Sequence, residues 1–346
     1  MGARERILSA LVSAAILSPL GAAQAQDAVA EFYKGKNINV VVGYDPGGGY
    51  DVYTRMLVRH MPRHIPGNPN MVVQNMPGAG SVRAANYVAS AAPRDGTALG
   101  VFGAPAALEP LFGNKSAQFE TLKFSWIGNM LRDVGSCVTW HTSGISSLDD
   151  VIKAKSEIVF GATGAGSYGN QHALVLKNML GANLRVITGF KGVVDVGLAL
   201  ERNEVQVACA MFVSTAKAAF GQRVEKGEVK FLVQFGEQDV PYFRGAPNFY
   251  RMIKTAEDRQ VADLFFGQVA IARPLIGPPG LPAPVVAALR RAMAETLKDK
   301  ALLADAAKLG LDIDPMTGEE MAQAFAGFYK TPLAVVARAV AIMGRK

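Results

Sequence analysis

The chain of 346 residues is poor in several features that would each have set its class. It has two cysteines, Cys137 and Cys209, too few for a disulfide-dense mini-scaffold. Its four histidines show no metal-ligand spacing. His60 and His64 are four apart, but Pro62 lies between them and breaks the helix that would align them. There is no run of five or more Lys or Arg; the net charge of +7 comes from 36 basic and 29 acidic residues scattered along the chain. That balance argues against nucleic acid and mildly suggests anionic partners. Catalytic signatures are missing as well. There is no G-x-S-x-G, no H-E-x-x-H and no P-loop, and no spacing of Ser, His and Asp singles out a triad. His141 and His172 read as structural residues. What is present is a chain half hydrophobic and 19% charged, with 36 Gly and 18 Pro. That composition fits a well-cored globular protein of about two domains at ~150 residues each, and excludes a disordered chain or a coiled coil.

The first 26 residues read as a secretory signal. Arg4 and Arg6 give a short positive start, Ile7–Leu20 an apolar stretch, and Ala23-Gln24-Ala25 a small-residue cleavage site, so the mature chain starts at Gln26. The apolar stretch is shorter than the ~20 residues a span needs. No cysteine follows it to carry a lipid, and the two arginines are not adjacent, as a twin-arginine signal requires. Cleavage leaves 321 residues at +6, and no later stretch is long and apolar enough to cross a bilayer. The protein is expected to be exported, soluble and periplasmic. In that oxidising compartment an even cysteine count favours a Cys137–Cys209 bond, with two buried free thiols as the alternative.

Short β-rich runs alternate with helical ones. Asn37–Gly43 predicts a strand, Tyr44–Tyr50 a loop, and Asp51 a helix N-cap, after which Val52, Met56, Leu57 and His60 recur at helical spacing. Met71–Asn75 predicts a second strand, Ser81 a cap for a helix through Ser90, and Leu99–Phe102 a third strand. This alternation implies a parallel sheet with right-handed crossovers. After Trp140 it resumes, with strands at Ile158–Ala162, Leu184–Thr188, Val205–Phe212 and Phe231–Gln234, and helices at Gly169–Leu180 and Val193–Arg202. A late strand is expected over Gln268–Arg273, then a Pro/Gly-rich break at Pro274–Pro284. From there helices run to the end, over Val285–Lys298, Ala301–Lys308 and Pro332–Met343, with a capping box at Thr317–Glu320.

Three glycine-rich loops each join a strand end to a helix start. Pro46-Gly47-Gly48-Gly49 has more glycine than a turn requires, and the free N–H groups of the helix behind it suit a carboxylate or phosphate. Gly164–Gly169 fits G-x-G-x-x-G, but the next strand ends in Ile187-Thr188-Gly189-Phe190 without the acid that would bind ribose, so no dinucleotide is expected. Gly189-Phe190-Lys191-Gly192 is the third loop.

These loops also carry a resemblance. Phe32–Lys36, Val41–Gly43 and Pro46–Asp51 resemble the extracytoplasmic solute receptors of tripartite tricarboxylate transporters, the Bug or TctC-like family. Gln74–Ser81 is similar to the family's N-x-P-G-A-G segment and Ala92–Thr97 to its A-x-P-D-G-Y-T turn. Gly161–Ser167 and Phe190–Gly192 are similar to its second and third loops, and Val205–Phe212 to its G-x-V-D-M-x-F strand. The resemblance implies an α/β, two-lobed periplasmic binding protein fold of type II-like topology, each lobe a mostly parallel sheet flanked by helices. Lobe 1 would be 26–136 plus 265–346 and lobe 2 would be 137–264, closing on a ligand by a hinge. It implies a monomeric receptor, not an enzyme and without cofactor or metal, that delivers a small carboxylate to membrane permease subunits. The ligand would touch Tyr44, Pro46, Gly47, Gly48, Gly49, Asp51 and Gly103 of lobe 1. From lobe 2 it would touch Thr163, Gly164, Ala165, Gly166, Ser167, Phe190, Lys191, Gly192 and Phe212, with Ser167 as a side-chain donor.

The chain departs from the family pattern at informative places. Asp45 stands where the family has a small residue and would repel an anion if it faced the cleft. Gly103-Ala104-Pro105 replaces a hydroxyl-rich loop, and Gly189 replaces a proline. Tyr50, Phe190 and Phe212 suggest a more apolar pocket, so an aromatic or mixed-polarity acid is as consistent as citrate. Two other classes fit the same sequence: a periplasmic sensor feeding a membrane kinase, and a secreted α/β hydrolase.

Overall fold

The computed structural model describes residues 20–345. The signal-peptide reading falls largely outside these residues, and its expected cleavage site lies within the first helix, α1 (Leu20–Tyr33). The β-branched run of β1 (Asn37–Val42) is buried from Val40 to Val42, as expected of a strand covered on both faces. It pairs in parallel with β2 (Asn70–Asn75) and β3 (Ala98–Val101), and helices α2 (Gly49–His60) and α3 (Val82–Ser90) make the crossovers. A short helix α4 (Ala104–Leu108) and a strand β4 (Ser125–Asn129) follow.

The chain then crosses to a second sheet. It forms β5 (Gly135–Trp140), α5 (Leu148–Ile152), β6 (Ile158–Ala162), α6 (Tyr168–Leu180), β7 (Leu184–Thr188) and α7 (Val193–Glu201). Next come β8 (Val207–Phe212), α8 (Val213–Glu225), β9 (Val229–Gln234) and α9 (Ala256–Phe266). It returns to the first sheet as β10 (Pro274–Gly277), α10 (Ala283–Thr296), α11 (Lys300–Lys308), β11 (Met316–Thr317) and α12 (Gly318–Phe328), and ends in α13 (Leu333–Ile342). Among the described residues no single helix is long and apolar enough to cross a membrane.

Strand order is β2-β1-β3-β10-β4-β11 in the first sheet and β7-β6-β8-β5-β9 in the second. In each sheet the strand made just after a crossing, β10 or β5, is inserted antiparallel to both neighbours. A strand arriving from the other lobe starts at the cleft end of the sheet, where β3 and β8 finish, so it must run back. The sheets are therefore mixed, with most strands still pointing one way.

Three expectations are corrected. No strand covers Gln268–Arg273: Gly267–Ala270 form a 3₁₀ turn, and the strand starts at Pro274, inside the expected break. Buried Gln268 spends its amide on the end of α9, donating to the Phe265 carbonyl at 3.0 Å and to Gln171 at 2.9 Å. Pro274 sits first in its strand, where a missing N–H is tolerated. Second, β4 and β5 were not anticipated. Third, the C-terminus does not belong wholly to lobe 1. The Thr317–Glu320 capping box forms at α12 as expected, but α13 turns away and packs on α9 and α6 of lobe 2. Val335, Val336, Ala339 and Ile342 are buried there. Along this side one buried apolar cluster runs from Phe102 and Trp126 beside the first sheet to Phe160 and Val207 of the second.

Cys137 on β5 and Cys209 on the adjacent β8 form the disulfide. It stitches the inserted strand to its neighbour where their register shifts.

Candidate functional site

The triple-glycine loop is built around a buried carboxylate. Helix α2 starts at Gly49 with Gly48 as its cap residue, so Asp51 is not the expected N-cap. Asp51 is 2% exposed and accepts from the Gly47 N–H, Arg55 Nε and Asn75 Nδ2 at 2.8–2.9 Å. Burial opposes its charge, but these bonds outweigh that and hold its carboxyl below the usual range. Asp51 thus fixes the loop from beneath and does not reach the cavity described below. Gly47 has φ +83°, which only glycine adopts without strain. A Cβ on Gly49 would lie 2.7 Å from Arg273 Nη2 and 2.9 Å from Thr215 Oγ1, so that glycine admits the Arg273 guanidinium. Tyr44 stacks on Tyr50 with ring centroids 4.4 Å apart. Ser81, expected to cap α3 with its side chain, instead accepts the Gly103 N–H at 3.1 Å and donates to the Tyr44 hydroxyl at 3.4 Å. Gly103 itself sits behind Tyr44, where a Cβ would meet the tyrosine oxygen at 2.6 Å.

Arg273 lies at the second crossing, fully buried. It donates to Ser214 Oγ, to Thr215 Oγ1 at 3.1 Å and to the Ala272 carbonyl at 2.8 Å, and lies 3.7 Å from Asp133 of the first crossing. Its guanidinium also sits 4.5 Å from the Tyr50 ring centroid. Asp133 in turn accepts from the Ser214 N–H at the start of α8 and from the Val134 N–H at 2.8 Å. Burial pushes its carboxyl up, against the pull of Arg273. Both crossings, α2 and α8 are thereby tied at one buried point. Sequence reasoning missed this pair; the available signal was a lone arginine in the apolar run Val269–Gly277.

The second glycine loop meets protein rather than open space. A Cβ on Gly164 would fall 2.4 Å from the Gly80 nitrogen, and one on Gly166 would fall 2.6 Å from the Glu109 side chain. The Ala165 carbonyl accepts from Asn170 at 2.8 Å and from Arg345 at 3.3 Å. Gly164 and Gly166 thus let lobe 2 approach lobe 1 closely. Ser167 caps α6: its oxygen accepts the Asn170 N–H at 3.3 Å, and its own proton goes to the Gly164 carbonyl at 2.7 Å. In the third loop Lys191 is exposed, and Phe190 packs behind Gly161. Gly192 lies directly under Asp45, whose Oδ1 is only 1.5 Å from where a Cβ would stand.

Between the lobes lies a cavity of about 60 Å³ with mostly apolar walls. Of the expected site residues, Tyr44, Gly48, Gly49, Thr163, Ser167 and Phe212 line it; Pro46, Gly47, Asp51, Gly103, Gly164–Gly166 and Phe190–Gly192 do not. Asp45 and Tyr50 join them, and Tyr168, Val193, Val196 and Thr215 line it without having been foreseen. The first turns of four helices, α2, α6, α7 and α8, all reach this cavity. Their N-terminal half-charges favour an anion, but α2 and α7 carry Asp51 and Asp195 in their first turns and α8 already holds Asp133, so the start of α6 is the one of the four without an acid on it. Asp45 answers part of that field. Burial first, then the Asp195 carboxylate, push its pKa up to about 6 despite the Asp195 N–H, and Asp51 adds a smaller push. Among the described residues no cluster of three His, Cys, Asp or Glu is placed to hold a metal ion.

The tripartite tricarboxylate transporter family receptor profile matches residues 55–332. The chain belongs to that receptor family. Its members are periplasmic solute-binding receptors. The matched segment begins just after the triple-glycine loop. No curated protein is recognisably similar in sequence. Among solved structures, the periplasmic binding protein BugD is 20% identical with TM-score 0.71, over 90% of this chain and 98% of that one. MatC of Rhodopseudomonas palustris with bound malate is 18% identical with TM-score 0.69, over 89% and 99%. R. palustris Rpa4515 with adipate is 17% identical with TM-score 0.67, over 88% and 97%. At these identities the likeness establishes the fold: two-lobed, mixed α/β, as in periplasmic binding proteins.

Proposed function

We propose that the chain is an exported receptor that captures a small carboxylate between its lobes and delivers it to the membrane subunits of a tripartite transporter. The observation that carries this reading is an interlobe cavity onto which the acid-free N-terminus of α6 and the unpartnered Tyr50 hydroxyl open, which suits an anionic group. Family membership supports it, as do the fold relatives with malate and adipate bound. Lobe 1 is read as 26–129 with 274–332, and lobe 2 as 135–266, covered by α13 and hinged at residues 130–134 and 267–273. Binding rather than catalysis is the reading because no histidine or free thiol lines the cavity; Cys209, which does, is held in the disulfide. A cavity of about 60 Å³ holds roughly five waters and so calls for a compact ligand. A thermal-shift series of small mono- and dicarboxylates tests the proposal. A binder at 100-fold excess over its Kd stabilises by ~2.7 kcal/mol. No stabilisation by any carboxylate overturns it.

A further inference from the structure

Two polar atoms at the cavity wall are buried and have no partner: Asp45 Oδ1 and the Tyr50 hydroxyl. An acceptor left bare in this way is costly unless something bound supplies the missing donor. The cavity lining holds no Lys, Arg or His to do so. Arg273, close behind it, already serves Asp133, Ser214 and Thr215. The charges felt by Asp45 are the carboxylates of Asp195 and Asp51, so the half-charge at the α7 N-terminus is outweighed on that side. Elsewhere on the wall, the first turn of α6 carries no acid, and the unpartnered Tyr50 hydroxyl offers a donor. The cavity therefore has an acidic wall at Asp45 and an anion-accepting one at Tyr50 and the start of α6.

We infer that the ligand is a small zwitterion, whose ammonium pairs with Asp45 and whose carboxylate lies at Tyr50 and the start of α6, and that Asp45 is the residue that selects it. This rests on the carboxylate reading above and narrows it. A plain dicarboxylate would place a second negative charge against Asp45, with no counter-charge on the cavity wall.

The test uses the full mature receptor, with Asp45→Asn and Asp45→Ala beside it and circular dichroism to confirm folding. The probes are matched triplets: an amino acid, the same carboxylate without its amine, and the amine without its carboxylate. Alanine, propanoate and ethylamine make one; 4-aminobutanoate, butanoate and propylamine a second; leucine, 4-methylpentanoate and 3-methylbutylamine a third; phenylalanine, 3-phenylpropanoate and 2-phenylethylamine a fourth. In at least one triplet the wild type should bind the amino acid tenfold or more tighter than its deamino partner. Both variants should lower that ratio at least tenfold. Deamino acids binding the wild type as tightly as the amino acids would overturn the inference and leave the carboxylate reading standing. A ratio unchanged in both variants would remove Asp45 as the selector. Amines binding alone, in an Asp45-dependent way, with no carboxylate effect, would overturn the carboxylate reading but support the ammonium site. No binding by any triplet overturns the inference.

Discussion

His172 gives the most direct test of how the packing controls charge. It lies on α6, is fully buried, and neither ring nitrogen has a partner. Its surroundings are aromatic: Phe235 at 4.6 Å and Phe266 at 5.0 Å between ring centroids, with Tyr168 at 5.9 Å. Burial alone pushes its pKa down to about 3. The unfolded chain, with a histidine near ~6.5, takes up a proton in mild acid that the folded chain refuses. The folded pKa is depressed, so stability is fully present above about 6.5 and falls steadily as pH drops from there toward 3. Each pH unit in that window is worth ~1.36 kcal/mol, so between pH 7 and pH 5 the loss is about 2 kcal/mol. His172→Phe keeps an aromatic ring in the cluster and cannot titrate. Urea unfolding of both proteins at several pH values isolates the contribution, because other titrating groups cancel in the difference. The stability of the wild type minus that of the variant should fall by about 2 kcal/mol from pH 7 to pH 5. A flat difference, or a His172 ring titrating near 6.5 by NMR, would refute the reasoning.

Gly164→Ala should act as a wedge. Its backbone is not in the left-handed region, so lobe 2 should fold normally, but the new methyl would stand 2.4 Å from the Gly80 nitrogen. Affinity for any carboxylate that binds should drop at least tenfold, with the melting temperature of the free protein unchanged; unaltered affinity would mean the lobes need not meet. Arg273→Ala leaves Asp133 buried without its cation and should cost about 3–5 kcal/mol in denaturant unfolding. A cost under ~1 kcal/mol would show that Asp133 is held by its N–H bonds alone. Ser167→Ala removes the α6 cap and should lower stability by about 1 kcal/mol with little change in affinity; the reverse pattern would show that its hydroxyl serves the ligand instead.

The strands rich in Val and Ile were legible because their pattern is local, as in Asn37–Val42 and Ile158–Ala162. The inserted strands were not. Ser125–Asn129 and Gly135–Trp140 carry Gly, Ser and Cys, and are held as strands by neighbours distant in sequence. Gln268–Arg273 misled for the converse reason: a buried connector is as apolar as a strand, and composition does not separate the two. At the site, the glycines announced close approach without saying of what. At Gly164 and Gly80 it is the backbone of the other lobe, at Gly49 a guanidinium, and at Gly192 the carboxylate of Asp45. The unusual Asp45 was visible in the sequence, but its position over α7 depends on how the lobes meet.

The path of the last helix bears on how such receptors can be recombined. Helix α13 belongs to the sequence neighbourhood of one lobe and to the surface of the other. Just beyond it, Arg345 pairs with Glu109 at 3.0 Å and donates to the Ala165 carbonyl, touching both halves. A chimera that swaps 137–264 for the matching piece of a relative would therefore set the new piece under a foreign covering helix. A graft that also exchanges the segment from Leu333 to Arg345 keeps that surface with the helix that evolved on it. The natural unit of exchange here is two segments far apart in the gene, and a cut made at the lobe boundaries alone divides it.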